Sequence, residues 1–258
     1  MSRIANAFAD QKAFIAFLTA GDPDYETSLR NFRAVIEAGA DLIEVGIPFS
    51  DPIAEGPVIQ EADIRALESG MTTDKVFELV RELRKETQIP IVFMTYANPV
   101  YHYGADTFFE KAADCGADGI IIPDCPFEEK AEFEKSAADH GIDLISMIAP
   151  TSEQRIKEIA GSAKGFLYVV SSLGVTGVRS EITTDLSSIM KLIREATDIP
   201  AAIGFGISRP DQAQKMSRLA DGVIVGSAMV RIVAKYGKDA PDQLAEYVRS
   251  MKQAMAEA

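Results

Sequence analysis

A (β/α)8 TIM barrel of the α/β class is predicted for this 258-residue chain, and three observations predict it. Eight short apolar segments alternate strictly with at least eight amphipathic ones, and parallel strands need such a crossover helix between neighbours. The apolar segments are continuous rather than alternating, as in strands covered on both faces. The length is also that of a barrel, typically about 250 residues. A Gly-x-Gly-x-x-Gly fingerprint, which would favour an open doubly wound sheet, does not follow the first segment. With no linker or low-complexity stretch, residues 1–258 are expected to form one barrel domain with a short N-terminal helix and extra loop helices.

Residues 2–11 read as the leading helix and AFIAFLTA (13–20) as the first strand. Gly21, Asp22 and Pro23 turn the chain into a helix over 25–38, whose face is Leu29, Phe32, Val35 and Ile36. Gly39 suits its end. LIEVGI (42–47) is the second strand, followed by a long loop over 48–72 and a helix over 73–87. IVFMTY (91–96), GIIIP (119–123), LISMIAP (144–150) and FLYVVSS (166–172) are the next four strands. Helices over 105–115, 128–140 and 152–161 separate them. A glycine-rich loop and a helix over 186–197 lead to AAIGFG (201–206). A helix over 211–219 precedes GVIVGS (222–227), a short helix over 228–235 and a last one over 241–257.

The composition, 47% hydrophobic and 25% charged, is that of an ordinary globular protein. The net charge of −13 argues against a general nucleic-acid binder, which needs a basic footprint. Cys115 and Cys125 form no ligand pattern, and His102 and His140 are far apart, so no metal site is expected. Residues 1–12 lack the apolar core of a signal peptide, and no apolar run approaches the roughly 20 residues of a membrane span. A cytoplasmic location is expected.

Chemistry in a barrel belongs at the C-terminal ends of the strands. The stretch DLIEVGIPFSDPIAEGP (41–57) puts Glu44 inside an apolar strand and Asp51 and Glu55 in the loop behind it. A carboxylate in a buried strand is costly unless paired, hydrogen-bonded or protonated. Two carboxyl groups in different environments can divide acid and base roles. Tyr96, Asp124 and Tyr168 can face the same mouth. Glu44 could equally be a paired structural acid, Glu55 a solvated one, Asp124 a turn residue and Tyr168 barrel filling. Gly174-Val175-Thr176-Gly177, Gly204-Phe205-Gly206 and Gly226-Ser227 follow the last three strands. Glycine backbone and a helix start there suit a phosphorylated small molecule. Phe17, Met94, Ile121 and Phe205 fit either a ligand pocket or ordinary core.

These pieces together resemble the tryptophan synthase α-subunit family. The likeness runs end to end, carried by FLTAGDP (17–23), EVGIPFSDP (44–52), YAN (96–98), GVTG (174–177) and GFGI (204–207). It implies a lyase that splits indole-3-glycerol phosphate into indole and glyceraldehyde 3-phosphate in tryptophan biosynthesis. It implies a β subunit that receives the indole in an αββα heterotetramer. It adds no cofactor bound by this chain. By position, Glu44 matches the catalytic glutamate, and Glu55 stands where the family usually has a catalytic aspartate. Tyr168 and Thr176 match supporting residues. Gly177, Phe205, Gly206, Gly226 and Ser227 match the phosphate site, and Phe17, Tyr96 and Ile121 the indole pocket. Asp51, Pro52, Asn98 and Pro126 match the partner contact. The second reading is a ligand-sensing activator of the β subunit with weak chemistry of its own. The loops over 48–72 and 174–181 are expected to move and cover the mouth.

Overall fold

The computed structural model of the protein describes residues 2–171, 185–204 and 206–258. In chain order the first half consists of α1 (Arg3–Ala7), β1 (Ala13–Thr19), α2 (Tyr25–Glu37), β2 (Leu42–Gly46), α3 (Pro57–Glu68), α4 (Thr73–Arg84), β3 (Ile91–Met94), α5 (Ala97–Tyr103), α6 (Ala105–Cys115) and β4 (Gly119–Ile121). The second half continues with α7 (Ala131–Asp139), β5 (Asp143–Leu144), β6 (Ser146–Ile148), α8 (Glu153–Gly161), β7 (Leu167–Val170), α9 (Leu186–Ala196), β8 (Ala201–Gly204), α10 (Pro210–Ser217), β9 (Gly222–Val225), α11 (Ser227–Tyr236) and α12 (Ala240–Ala256).

The strands form one parallel sheet in the order β5-β4-β3-β2-β1-β9-β8-β7-β6. The predicted fifth strand is two short ones, parted at Ile145. Asp143 and Leu144 pair with β4, whereas Ser146 to Ile148 pair with β7. This one segment therefore joins both edges and closes the sheet into the expected barrel.

Side chains alternate between two cores, because successive strand residues point to opposite faces. Ala13, Ile15 and Phe17 of β1, Leu42 of β2, Val92 and Met94 of β3 and Tyr168 of β7 fill the barrel. Phe14, Ala16, Leu18, Ile43, Val45 and Phe93 face the helices instead. Covering on both sides explains why the strands read as unbroken apolar runs. The helix faces follow in kind: α2 starts at Asp24, whose carboxylate accepts the Thr27 N–H at 2.8 Å, and buries Leu29, Phe32 and Val35.

The N-terminal end of the barrel is sealed. Ile4 of α1 belongs to the barrel interior, and the Phe8 and Phe166 rings lie 5.8 Å apart. Three Ala-Asp pairs recur there, each immediately before a strand. Asp41 accepts the Phe14 N–H at 2.7 Å, Asp118 the Ile91 N–H at 2.8 Å and Asp221 the Ala201 N–H at 2.8 Å. Each also holds a cation: Lys252 on Asp41, Arg84 and Arg3 on Asp118, Arg194 on Asp221. These carboxylates tie neighbouring strands to each other and to the helix layer.

Two helices correct the sequence reading. The expected loop over 48–72 contains α3, which opens at Gly56 with Pro57 in its first turn and buries Ile59, Ala62, Asp63 and Ala66. The short α5 follows β3 directly. Among the described residues, no helix is long and apolar enough to cross a membrane.

Candidate active site

At the C-terminal end of the strands a cleft opens to solvent. Glu44 and Glu55 line it together with Phe17, Met94, Tyr168, Gly206, Gly226 and Ser227. Around the ring, the acids come from β2 and the loop after it. The glycines come from the ends of β8 and β9, and Phe17 of β1 stands between. Of the predicted residues, these eight come together.

Glu44 is fully buried in β2, in register with Phe17 on one side and Val92 on the other. Among the described residues neither of its carboxyl oxygens has a hydrogen-bond partner. Burial first, and then the charge of Glu55, push its pKa up to about 8. An ionised carboxylate would be strongly penalised in such a place, so Glu44 is a neutral acid at pH 7. Glu55 is also buried, just before α3. Its negative charge raises the proton affinity of Glu44, Asp63 and the Tyr96 and Tyr168 phenols. Tyr168 is buried and stays a neutral phenol, through burial first and then the charges of Glu44 and Glu55.

The other end of the cleft is made of backbone. Gly206 has φ +82°, a conformation that favours glycine, and Gly226 and Ser227 begin α11. The N–H groups of a first helical turn have no partner within the helix, and its dipole favours an anion. Space also dictates glycine nearby. A Cβ at Gly46 would stand 2.8 Å from the Phe17 ring, and one at Gly226 would stand 3.3 Å from it.

Several predicted residues lie elsewhere. Tyr96 and Ile121 are buried but are not among the residues lining the cleft. Tyr96 touches the loop that carries Glu55, and Ile121 is barrel core. Asp124 accepts the Ala97 N–H at 2.9 Å at the start of α5 and is not among the residues lining the cleft. Thr176, Gly177 and Phe205, with the whole loop over 174–181, lie outside the described residues. Asp51, Asn98 and Pro126 are exposed and Pro52 is buried. Beside them stand two large apolar side chains, Ile53 at 75% and Tyr101 at 77% exposure.

Ile59, Ile207 and Ile224 also line the cleft, and sequence reasoning missed them. Ile59 could have been found from Pro57, a helix-opening signal directly before the apolar pair Val58-Ile59. Asp63, one turn further along α3, was missed as well. It is buried, and burial followed by the charge of Glu55 raises its pKa to about 8.

Fold and cleft together define a class: a (β/α)8 barrel with two buried glutamates and a glycine-bordered helix start at the catalytic end. The profile of the family described as tryptophan synthase alpha chain matches residues 4–258, and the chain belongs to that family. A curated relative of that description from Lactiplantibacillus plantarum is 50% identical over 256 residues, covering 99% of this chain and 97% of its own. The solved tryptophan synthase alpha chain from Legionella pneumophila has a TM-score of 0.89 at 34% identity, covering 100% of this chain and 98% of that one. A chain from a structure titled for mutual activation of the Pyrococcus furiosus tryptophan synthase α2β2 complex gives 0.87 at 37% identity, over 94% and 98%.

Proposed function

We infer that this chain is the carbon–carbon lyase of tryptophan synthesis, cleaving indole-3-glycerol phosphate to indole and glyceraldehyde 3-phosphate. The carrying observation is Glu44, an uncharged acid without a partner among the described residues, set in a cleft beside Glu55. Family membership over residues 4–258 supports the chemistry to which that acid is applied.

In this reading Glu44 donates its proton to indole C3, which places a positive charge on the ring nitrogen. The Glu55 carboxylate offsets that charge. Glu44, now a carboxylate, takes the proton from the hydroxyl on the adjoining side-chain carbon. The bond from C3 to that carbon breaks, its electron pair restores the indole, and the side chain leaves as an aldehyde. Glu44 ends with the proton count it began with. Tyr168 supports the pair as a neutral hydroxyl, and Thr176 is assigned a supporting place from its position in the family pattern. Gly206, Gly226 and Ser227 hold the phosphate, with Gly177 and Phe205 assigned by position. Phe17 walls the indole, backed by Ile121 and Tyr96.

The partner is a β subunit that receives indole, in the α2β2 arrangement described for the Pyrococcus furiosus relative. Asp51, Pro52, Asn98 and Pro126 form its contact, a reading supported by the exposed Ile53 and Tyr101 among them. The cytoplasm, where a phosphorylated biosynthetic intermediate is made, is its place of work. Nothing in the cleft favours the sensor reading over the lyase. Indole release by the full chain bound to its β subunit tests the proposal. Release abolished in Glu44→Gln, with glycerol 3-phosphate still bound, is the expected result; normal turnover would remove Glu44 from the mechanism.

A further inference from the structure

Glutamate places its carboxylate through three side-chain torsions, so a fixed position depends on a fixed backbone anchor. The chain at Ala54 and Glu55 has such an anchor. The Ala54 N–H donates to the Tyr96 hydroxyl oxygen at 3.0 Å. The Glu55 N–H donates to the Pro52 carbonyl at 3.1 Å, and the Gln60 side-chain amide donates to the Glu55 carbonyl at 2.7 Å. Tyr96 itself is held: it is 4% exposed, stands two residues past the end of β3 and packs on Phe49 with ring centroids 5.6 Å apart. Of these anchors, the Pro52 bond is local and the Gln60 bond comes from an exposed side chain. The Tyr96 bond, by contrast, ties the loop to the barrel wall.

We propose that Tyr96 is a positioning residue for the lyase reaction, its hydroxyl holding the Ala54 amide so that the Glu55 carboxylate reaches the reacting ring. This goes beyond a role as packing behind the cleft, which needs only the aromatic ring. It rests on the reading of Glu55 as the charge-offsetting carboxylate. Burial and the Glu55 charge keep the phenol neutral, consistent with a stable acceptor.

Tyr96→Phe keeps the ring and deletes only the hydroxyl. In the full chain bound to its β subunit, kcat for indole release falls about tenfold while KM stays within about twofold, since small misplacements of a catalytic group weigh on turnover. Hydrogen exchange of the Ala54 amide accelerates by about tenfold or more in the same variant, a change that loss of ring packing alone would not confine to this site. Gln60→Glu removes the second anchor from the exposed side, where folding is not at stake, and lowers kcat in the same sense. Normal kcat in Tyr96→Phe, or a raised KM alone, overturns the proposal and leaves Tyr96 as buried packing behind the cleft. Glu55→Gln is measured alongside: if it retains normal turnover, the reading of Glu55 fails and takes the positioning role with it. If it is impaired while Tyr96→Phe is not, only the positioning role fails.

Discussion

The Tyr168 ring occupies the space that a side chain at Gly204 would need. A Cβ at that position would stand 2.6 Å from the Tyr168 hydroxyl and 2.8 Å from the ring. The two residues are near neighbours on paired strands, β7 and β8. Gly204→Ala therefore forces Tyr168 off its position beside the glutamates. An overpacked core site costs about 1–3 kcal/mol, and here the strain falls on the cleft. We expect kcat to fall, with Tyr168→Phe relieving part of the stability loss in thermal unfolding because the closest clash is with the hydroxyl.

Removal of the acid at Glu44 should weigh on chemistry. Positioned proton transfer contributes about 10²–10⁴-fold, and Glu44→Gln should lose at least that much in kcat. The amide keeps the buried volume and carries no charge, so the fold persists. Steady-state indole assays and glycerol 3-phosphate titration separate the two effects.

The pH dependence follows from the same acid. Glu44 must carry a proton to start the reaction, and its pKa is raised to about 8. Activity of the unliganded enzyme, read as kcat/KM, should therefore decline as pH rises through about 8. Stability shares the sign. Between about 4.5 and 8 the unfolded chain has released the Glu44 proton and the folded chain has not, so unfolding becomes easier as pH rises. Asp63 acts likewise from about 3.8 to about 8. Urea unfolding against pH should show this decline, and Glu44→Gln with Asp63→Asn should flatten it.

At Glu55, charge matters more than length. Glu55→Asp should remain active, because the anchored backbone still presents a carboxylate to the cleft. Glu55→Ala should be severely impaired. A fully active alanine variant would return Glu55 to the role of a buried loop acid without chemistry.

The opposite end of the barrel should answer differently. Asp118 joins the Ile91 N–H, Arg84 and Arg3, and its side chain is 10% exposed. Asp118→Ala strands a largely buried guanidinium, a loss that commonly costs about 3–5 kcal/mol. Denaturant midpoints should drop while turnover per folded molecule holds.

Much of this was legible in the sequence. The strands announced themselves because both faces are buried, and Glu44 stood out as the one acid inside such a run. The helix α3 did not, because Pro48, Pro52, Gly56 and Pro57 read as loop chemistry when the last two are a helix start. With α3 went Ile59 and Asp63. The short α5 carries Pro99 within seven residues and shows no apolar stripe. The split at Ile145 is invisible because it is a change of pairing partner, not of residue type. Tyr96 was expected at the mouth but is not among the residues lining the cleft, and its bond from Ala54 depends on how a loop folds back. No periodicity records that.

The split closing strand has a consequence for how the ring yields. The wall carrying Glu44 is held in continuous register, from Ile15 with Leu42 to Thr19 with Gly46, and again against β3. On the far side, only two register pairs, Asp143 with Gly119 and Leu144 with Ile120, and the Ile145 N–H on the Ile120 carbonyl at 2.9 Å join the described chain to β4 before it changes partner. Sparse pairing opens at lower cost than dense pairing. The staves are thus of unequal stiffness: the ring can breathe at its seam while the wall bearing the acid keeps its shape.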